Sequence, residues 1–476
     1  MKKISIKLYV VSLAVTALLF GGGCYLYGTI HELQKETVAQ KNDDLAQVHQ
    51  LYDEIKSSYY RDVDSKTLVN GALKGMTEAL GDPYTTFLDE DGSNQLNQSL
   101  SDSFEGIGAT LQIKNDYPEI AQAPIKDTPA AKGGLRAQDI ILKVDDMTTK
   151  DKKLAEVVTK IRGKKGTEVV LQIKRGSETF AVTLKRDKIP LHTVTQRISK
   201  EDKQIGILQI TSFGENTAKE LKDAITSLRK QGAKSFILDV RQNPGGLLDQ
   251  VEQMASMFLK DGQTIVEFKD NHSTVSKAVA GEKFDQGFKV NEPTVVLVDG
   301  GSASASEIFA AALKESAHVP IIGTTTFGKG TVQTVSPIDA KSSLKLTVSK
   351  WLTPKGNWIH EKGLEPTIKA DFPDYAYLAP LPRDKNLKQG QTSEDVKRLN
   401  RFLSALGYDT KGDTFDEKTT TALKDFQSKH KLSISPSLNK ETVDAIEKQL
   451  TTQITTHDEA YHKGIDELQK EMASQK

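Results

Sequence analysis

Apolar residues change their spacing several times along the chain, and each change indicates a different kind of structure. Between residues 204 and 370, continuous apolar runs such as IGILQI, SFILDV and TVVLVDG alternate with amphipathic helical segments such as ENTAKELKDAITSLRKQG. Apolar strands separated by helices are typical of a sheet that is covered on its faces. This part predicts an α/β core, which ends with a strand pair, TVQTVSPI and SLKLTVSKWLT.

A second pattern runs from residue 104 to residue 186. Short strand-like runs, among them GIGATLQI, DIILKVDD, EVVLQIKR and TFAVTLKR, are separated by glycine turns, with one helix-like segment, KKLAEVVTKIRG. The pattern predicts a small β-rich module over 104–186. We expect the α/β core to follow it and to span 187–378.

Residues 31–103 begin with an amphipathic helix. Its apolar residues recur mostly at three-, four- and seven-residue steps: Leu33, Val38, Leu45, Val48, Leu51 and Ile55. This spacing fits a stalk helix that packs on its own domain and equally a helix that pairs with a second protomer in a homodimer. The pattern leaves both interpretations open.

The C-terminal part starts with a proline-containing linker, 379–391. Three helical segments then predict a compact unit over 392–450. We expect the polar tail, 451–476, to be mobile or loosely helical.

The N-terminal segment, residues 1–30, carries Lys2, Lys3 and Lys7 before an uncharged apolar stretch at 8–27. This stretch is long enough to cross a bilayer, and the flanking lysines predict that the rest of the chain lies outside the cytoplasm. We favour an uncleaved single-pass anchor. The alternatives are a cleaved signal peptide and a lipoprotein cleavage before Cys24, which would leave a secreted or wall-associated protein.

Composition excludes some classes of protein. A chain of 476 residues predicts three or four units. Its balance of 64 basic and 64 acidic residues argues against nucleic acid as the main partner, because phosphate binding needs a basic surface. A single cysteine and scattered histidines form no metal-ligand pattern, so we expect neither a metal nor another cofactor.

Candidate chemistry begins with DGGSASASEIFAAALKE, residues 299–315, which places Ser302, Ser304 and Ser306 before an apolar helix. Ser304 and Glu307 have the spacing of a capping box, so the simplest role of Ser304 is to cap that helix. Capping is compatible with catalysis, because N–H groups at a helix N-terminus can bind a developing oxyanion.

A nucleophilic serine needs a base, and the sequence offers histidines and one lysine. His192, His272, His318 and His360 lie in or near the α/β region. Lys329, in TTTFGKGTVQTV, is a further candidate.

On the predicted strand Lys329 shares a face with Thr331 and Gln333, whose amide could orient the amine. A lysine can act as a base only if its pKa falls from about 10.4 towards neutrality. A solvated loop lysine is the simpler interpretation.

The segment LDVRQNPGGLLDQV supplies a third element. Backbone N–H groups around Gly245 and Gly246 could face a reacting carbonyl, as an oxyanion hole requires. An ordinary turn is the alternative.

Three motifs in this order, FILDVRQNPGG, VLVDGGSASASEI and TFGKGTVQ, closely resemble those of the C-terminal processing peptidases. The resemblance implies that Ser304 is the nucleophile, that Lys329 is the base and that Gln333 orients it. It also implies that the N–H groups of Ala305 and Gly246 form the oxyanion hole.

The β-rich module, with FEGIGATL and TPAAKGGLRAQDIILKVDD, resembles the PDZ domain of this family. The resemblance implies that N–H groups around Gly106, Ile107 and Gly108 capture a substrate's C-terminal carboxylate. It implies that Arg162, in the IRG sequence, couples tail binding to activation. The helical unit 392–450 resembles peptidoglycan-binding modules.

We therefore expect a multidomain α+β protein, with an α/β serine peptidase core, an inserted PDZ domain and a small C-terminal three-helix domain. Its expected function is to cleave extracytoplasmic proteins near their C-termini with a Ser/Lys dyad. Two alternatives from other classes are a catalytically silent scaffold that binds C-termini and peptidoglycan, and a Ser-His-Asp esterase or amidase.

Overall fold

The computed structural model describes residues 45–101 and 103–474. Contacts between residues divide the chain into two units. The first consists of the chain up to Ser93 together with Gln333–Thr347, and the second consists of Asn94–Val332 together with the chain from Val348. The expected membrane segment, 8–27, lies outside the described residues and stays a prediction. Within the described part, no helix is both long and apolar enough to cross a membrane.

The first unit is mainly helical. Its elements in the chain up to Ser93 are α1 (Ala46–Ser58), α2 (Ser65–Glu78), β1 (Thr86–Leu88) and the start of α3 (Glu90–Leu100), and the segment Gln333–Thr347 adds parts of the strands Thr331–Pro337 and Ser343–Leu352. The predicted amphipathic helix is present from Ala46, whereas Leu33 and Val38 lie outside the described residues. No side chain of α1 is buried by the described residues, and Leu51 is 61% exposed. Pairing with a second protomer stays a prediction.

The β-rich module belongs to the second unit. Its elements are β2 (Ser103–Gly106), β3 (Leu111–Lys114), β4 (Tyr117–Ile120), α4 (Pro129–Lys132), β5 (Ile140–Val144), β6 (Met147–Thr148), α5 (Leu154–Ile161), β7 (Glu168–Arg175), β8 (Glu178–Lys185) and β9 (Asp187–Pro190). The main sheet has the order β3-β4-β5-β7-β8, so β3 is an edge strand, while β2 pairs with β9. Strands β2 and β4 were not predicted from the sequence.

The α/β core follows. Its elements are β10 (Val194–Ile198), β11 (Ile205–Ile210), α6 (Thr217–Lys230), β12 (Ser235–Asp239), α7 (Leu248–Phe258), β13 (Thr264–Asp270), β14 (Val275–Val279), α8 (Glu282–Asp285), β15 (Thr294–Val298), α9 (Ala305–Ser316), β16 (Ile321–Gly323), β17 (Thr331–Pro337), β18 (Ser343–Leu352) and β19 (Ile368–Lys369). The predicted strands and helices are confirmed, and the predicted strand pair is present as β17 and β18. The hairpin β13–β14 was not predicted.

The core sheet brings the three sequence motifs together. Its order is β10-β11-β12-β15-β16-β19, with every neighbouring pair parallel except β10 and β11. The Asn-Pro-Gly-Gly turn follows β12, the serine-rich turn follows β15 and the Lys329 loop follows β16. Because β12, β15 and β16 are adjacent and parallel, all three motifs leave the sheet at its carboxyl edge, where α/β proteins bind ligands.

The C-terminal part contains a 3₁₀ turn (Asp374–Tyr377) and the helices α10 (Glu394–Ala405), α11 (Glu417–Lys429), α12 (Lys440–Thr456) and α13 (Glu459–Ser474). Helices α10 to α12 begin at polar caps, since the side chains of Ser393, Asp416 and Asn439 each accept a backbone N–H three residues on. These three helices share one hydrophobic core.

The structure differs in two respects from what we expected for this part. The expected linker, 379–391, buries Leu381 and Leu387 in the core of the helical unit. The tail 451–476, expected to be mobile or loosely helical, is helical in its described residues: it is the end of α12 followed by α13, and α13 packs on the α/β sheet. Its polar composition concealed an apolar stripe that includes Ala460, Ile465 and Leu468. A few apolar residues on one face of a helix are enough to form such a stripe, so a largely polar segment can still pack on the sheet.

Candidate active site

Ser304 lies at a sharp turn between strand and helix. Strand β15 ends at Val298, and α9 begins at Ala305, directly after the serine. Ser304 has φ 55° and ψ −112°, a conformation that is strained for a residue with a side chain. A strained strand-to-helix turn is the setting in which hydrolases present a nucleophilic serine.

The two neighbouring serines have structural partners. The buried hydroxyls of Ser302 and Ser306 donate hydrogen bonds to the carbonyl oxygens of Val240 and Asn243, each at 2.8 Å. These bonds tie the serine turn to the turn that follows β12. Ser304 is the one of the three serines whose side chain is partly exposed.

The Asn-Pro-Gly-Gly turn lies against Ser304. A Cβ atom added to Gly245 would be 3.0 Å from the Ser304 Cβ and 2.9 Å from the Ala305 nitrogen, so this close approach requires glycine. Asn243 stabilises the turn, because its side-chain oxygen accepts the Gly245 N–H at 2.9 Å. Its backbone oxygen accepts the Ala303 N–H at 3.0 Å.

Two N–H groups at this place have no acceptor among the described residues, those of Gly246 and Ala305. Ala305 is the first residue of α9, so its N–H has no acceptor within the helix. The site therefore offers two backbone donors beside Ser304.

Glu307 connects the serine turn to the Lys329 loop. Its fully buried carboxylate accepts the Ser304 N–H and the Lys329 N–H with the same oxygen, Oε2, each at 2.8 Å. Its other oxygen accepts the Gly328 N–H at 2.7 Å and the Thr326 hydroxyl. The capping box predicted from the sequence is confirmed, but the bonds to the Lys329 loop were not predicted.

Both tryptophans of the chain bind the same loop. The indole N–H of Trp351 donates to the Lys329 carbonyl oxygen, and that of Trp358 donates to the Gly330 carbonyl oxygen, each at 2.8 Å. Trp351 is fully buried. Glu307 thus holds the loop through its backbone N–H groups, and the two indoles hold it through its carbonyl oxygens. The one sequence signal was the position of both tryptophans shortly after the FGKG motif.

The side chains of the expected dyad are not in hydrogen-bond contact. Within the described residues, the Ser304 side chain forms no hydrogen bond with Lys329 or with any histidine. His192 instead binds Glu220 at 2.8 Å, and His360 stacks on Trp358. In unliganded sites catalytic hydrogen bonds are often long, so this does not by itself select the base.

Gln333 lies on β17 within the first unit. There its amide nitrogen donates to the hydroxyl of Thr347 at 3.1 Å. Its expected role of orienting the Lys329 amine stays a prediction. No group of histidine, cysteine, aspartate or glutamate side chains in the described residues could hold a metal ion.

The expected tail-binding residues lie before the edge strand β3. Ile107 is buried, and the N–H groups of Ile107 and Gly108 have no acceptor among the described residues. Gly108 has φ 80°, and a Cβ atom there would lie 2.5 Å from the Thr128 Cβ, so the turn needs glycine. Gly106 ends β2, where it pairs with Asp187.

Arg162 follows the last residue of α5. Its guanidinium donates to the Gln98 side-chain oxygen at 3.2 Å and lies 4.9 Å from the centre of the Phe104 ring. The Arg162 side chain is thus held between Gln98 of α3 and Phe104 of β2.

Comparison with known proteins identifies the family. Residues 204–370 match peptidase family S41, and 120–175 match the PDZ domain. Residues 27–92 match the N-terminal domain of the activating protease CtpB, and 392–446 match a putative peptidoglycan-binding domain. The carboxy-terminal processing protease CtpA of Bacillus subtilis (strain 168) is 42% identical over 474 residues, which cover 99% of this chain and 100% of that protein. The chain belongs to peptidase family S41.

A second curated relative agrees with this assignment. A probable CtpA-like serine protease of Staphylococcus aureus (strain N315) is 37% identical, over 91% of this chain and 87% of its own length. A solved structure of the photosystem II D1 C-terminal processing protease has 29% identity and a TM-score of 0.41, covering 68% of this chain and 86% of that one. This S41 peptidase is a serine protease of the carboxy-terminal processing family with a PDZ domain, and hence a hydrolase. The expected multidomain α+β fold is confirmed.

Proposed function

We propose that this S41 peptidase is an endopeptidase in which Ser304 is the nucleophile, Lys329 is the general base and Gln333 orients the lysine amine. The observation that supports the proposal best is the shared acceptor, Glu307 Oε2, which binds the backbone N–H of both Ser304 and Lys329. A common acceptor keeps the two turns at a constant separation. Ser302 and Ser306 are poor candidates, because their hydroxyls are buried and bonded.

The reaction follows from these positions. Ser304 Oγ attacks the peptide carbonyl, and its proton passes to the neutral amine of Lys329. The developing oxyanion accepts the N–H groups of Gly246 and Ala305, which have no other described acceptor. The lysine then protonates the leaving amine. In the second half of the reaction it activates the water that hydrolyses the acyl-enzyme.

The substrate in this proposal is a protein or peptide with a free C-terminal carboxylate. The tail adds to the open edge of β3, and its carboxylate binds N–H groups of Gly106, Ile107 and Gly108. Arg162 gates the enzyme, and its contacts with Gln98 and Phe104 represent the resting state.

Location follows from the terminal segments. In this proposal 8–27 anchors the enzyme in the cell membrane with its catalytic part outside the cytoplasm, and 392–450 holds it near peptidoglycan. Protease added to intact cells should then digest the chain beyond the stalk, while the N-terminal fragment stays with washed membranes. A shortened soluble form would instead favour a cleaved signal.

The decisive experiment compares Ser304→Ala and Lys329→Arg with the parent enzyme on an unfolded protein substrate. Both variants should be inactive, since the first has no nucleophile and a guanidinium stays protonated. Lys355→Arg, at an exposed position, is the matched control and should retain activity. An active Lys329→Arg enzyme, together with loss of activity in a single histidine variant, would refute the dyad and favour the histidine alternative.

A further inference from the structure

Helix α13 completes the peptidase core from the far end of the chain. Helices α6, α7 and α9 cover one face of the core sheet, and their core includes Leu238 and Val296. The alternate residues of the same strands, Ile237 and Val295, face the other side. There they meet Ala460, Ile465 and Leu468 of α13. The chain therefore returns to the peptidase core after the helical unit 392–450.

An ion pair between Asp458 and Arg241 connects the start of α13 to the peptidase core. Asp458 directly precedes α13. Its Oδ1 accepts a hydrogen bond from Nη1 of Arg241 at 2.8 Å, and its Oδ2 lies 2.8 Å from Nη2 of the same guanidinium. Asp239 binds the same guanidinium at 2.9 Å and 2.7 Å. Burial alone lowers the pKa of Arg241, but the hydrogen bonds and charges of the two carboxylates outweigh it and raise that pKa. The side chain of Arg241 is only 15% exposed, so this two-carboxylate clamp is largely shielded from solvent.

Arg241 lies two residues before the Asn-Pro-Gly-Gly turn, which begins at Asn243. The next residue, Gln242, has a left-handed backbone, with φ 56°. It binds the Asp299 carboxylate with its backbone N–H at 2.9 Å and with its side-chain amide at 2.8 Å. Asp299 begins the turn that carries Ser304. The start of the Asn-Pro-Gly-Gly turn is therefore bound on one side to the serine turn and on the other side to the C-terminal helix.

We propose that Asp458 is a positioning residue of the peptidase, which acts through Arg241 to hold the turn that presents the Gly246 N–H to the reacting carbonyl. The proposal rests on the proposed function of Ser304 and Gly246. Asp458 lies two residues after the end of α12. The peptidoglycan-binding-like unit is therefore coupled to the oxyanion donor through Asp458 and Arg241.

The test is Asp458→Asn in the full chain. Asparagine still caps α13, where Asp458 accepts the Tyr461 N–H at 3.1 Å, but it cannot form the ion pair with Arg241. The matched control is Glu459→Gln, which removes the same charge from the next residue, whose partner is Lys463 at 2.7 Å. Both variants are compared with the parent in the rate at which a fluorophosphonate labels Ser304, and in kcat and KM for a peptide substrate.

Asp458→Asn should lower the labelling rate and kcat by roughly tenfold, less than the 10²–10³ expected for deleting an oxyanion donor, because the donor is displaced and not removed. KM should stay within about twofold, because the groups that bind the tail are unchanged. Glu459→Gln should match the parent. In an Arg241→Gln background, Asp458→Asn should add less than about a twofold loss, since the effect passes through Arg241.

Each other outcome has a definite meaning. Parental labelling and kcat in Asp458→Asn would overturn the proposal, as would full additivity with Arg241→Gln. If Asp458→Asn fails to fold, Asp458→Glu decides: restored charge should restore at least half the rate, and a tenfold loss would refute the ion-pair mechanism. If the parent and Ser304→Ala are equally unlabelled, the proposed function fails, and this inference fails with it.

Discussion

Replacing Glu307 with glutamine tests whether one buried carboxylate holds the active-site turns together. The amide keeps one oxygen, which can still accept the N–H groups of Ser304 and Lys329 at the Oε2 position. Its NH₂ group then faces the Gly328 N–H, which loses its acceptor. The Thr326 hydroxyl can rotate and accept from the new amide, so that interaction survives in reversed form.

The cost follows from this count. One buried N–H is left unpaired, at about 1–3 kcal/mol, and two further bonds lose the assistance of a charge, at about 1 kcal/mol each. The neutral amide is easier to bury than a carboxylate, which offsets part of the loss. We expect the free energy of unfolding to fall by about 2–4 kcal/mol. Activity should fall as well, because the Lys329 loop loses its bond at Gly328 and the bonds that hold Ser304 and Lys329 are weakened.

Urea unfolding followed by tryptophan fluorescence is a direct assay, since the two tryptophans of the chain bind this same loop. Glu315→Gln is a matched control on α9, where the carboxylate accepts one exposed N–H, from Lys355. Its effect should stay within about 0.5 kcal/mol. A loss below about 1 kcal/mol in Glu307→Gln with parental activity would refute the role given to Glu307.

Three other predictions concern the core and the tail-binding domain. Leu468→Ala, in the tail expected to be mobile or loosely helical, should destabilise the protein by about 2–5 kcal/mol in urea unfolding, and a negligible loss would contradict the docking of α13. Burial favours a raised pKa for Asp285, but hydrogen bonds from Lys289 and Ser256 outweigh it and lower that pKa below 3.8. The ionised form therefore stabilises the fold above pH 3.8, so Asp285→Asn should be destabilising at neutral pH, and the difference should shrink as the pH falls below that value. A difference independent of pH would refute this linkage. Arg162→Ala should slow cleavage of folded substrates with apolar tails while Ser304 still reacts with a small probe, and amidation of the tail should weaken binding to the parent enzyme. Equal turnover of free-acid and amidated substrates by both enzymes would contradict tail capture and gating.

Local pattern was sufficient for most of the fold. The strands β11, β12 and β15 are continuous apolar runs, and the helices between them have regular apolar stripes, so each could be predicted without knowledge of its neighbours. The hairpin β13–β14 lacks such a signal, because TIVEFKD and VSKAV mix polar and apolar residues. Helix α13 was misjudged since its few apolar residues matter only against the sheet face that they cover.

The candidate site divides in the same way. The sequence by itself determined the strand-to-helix turn at Ser304, its capping box with Glu307 and the glycine turn at Gly245, because these depend on residues a few positions apart. Only the tertiary structure decided that Glu307 also binds the Lys329 loop, 22 residues away, and that Asp458 binds Arg241, 217 residues away. The physical reason is that a buried hydrogen bond or ion pair requires a partner but no particular sequence separation, so local spacing carries no trace of it.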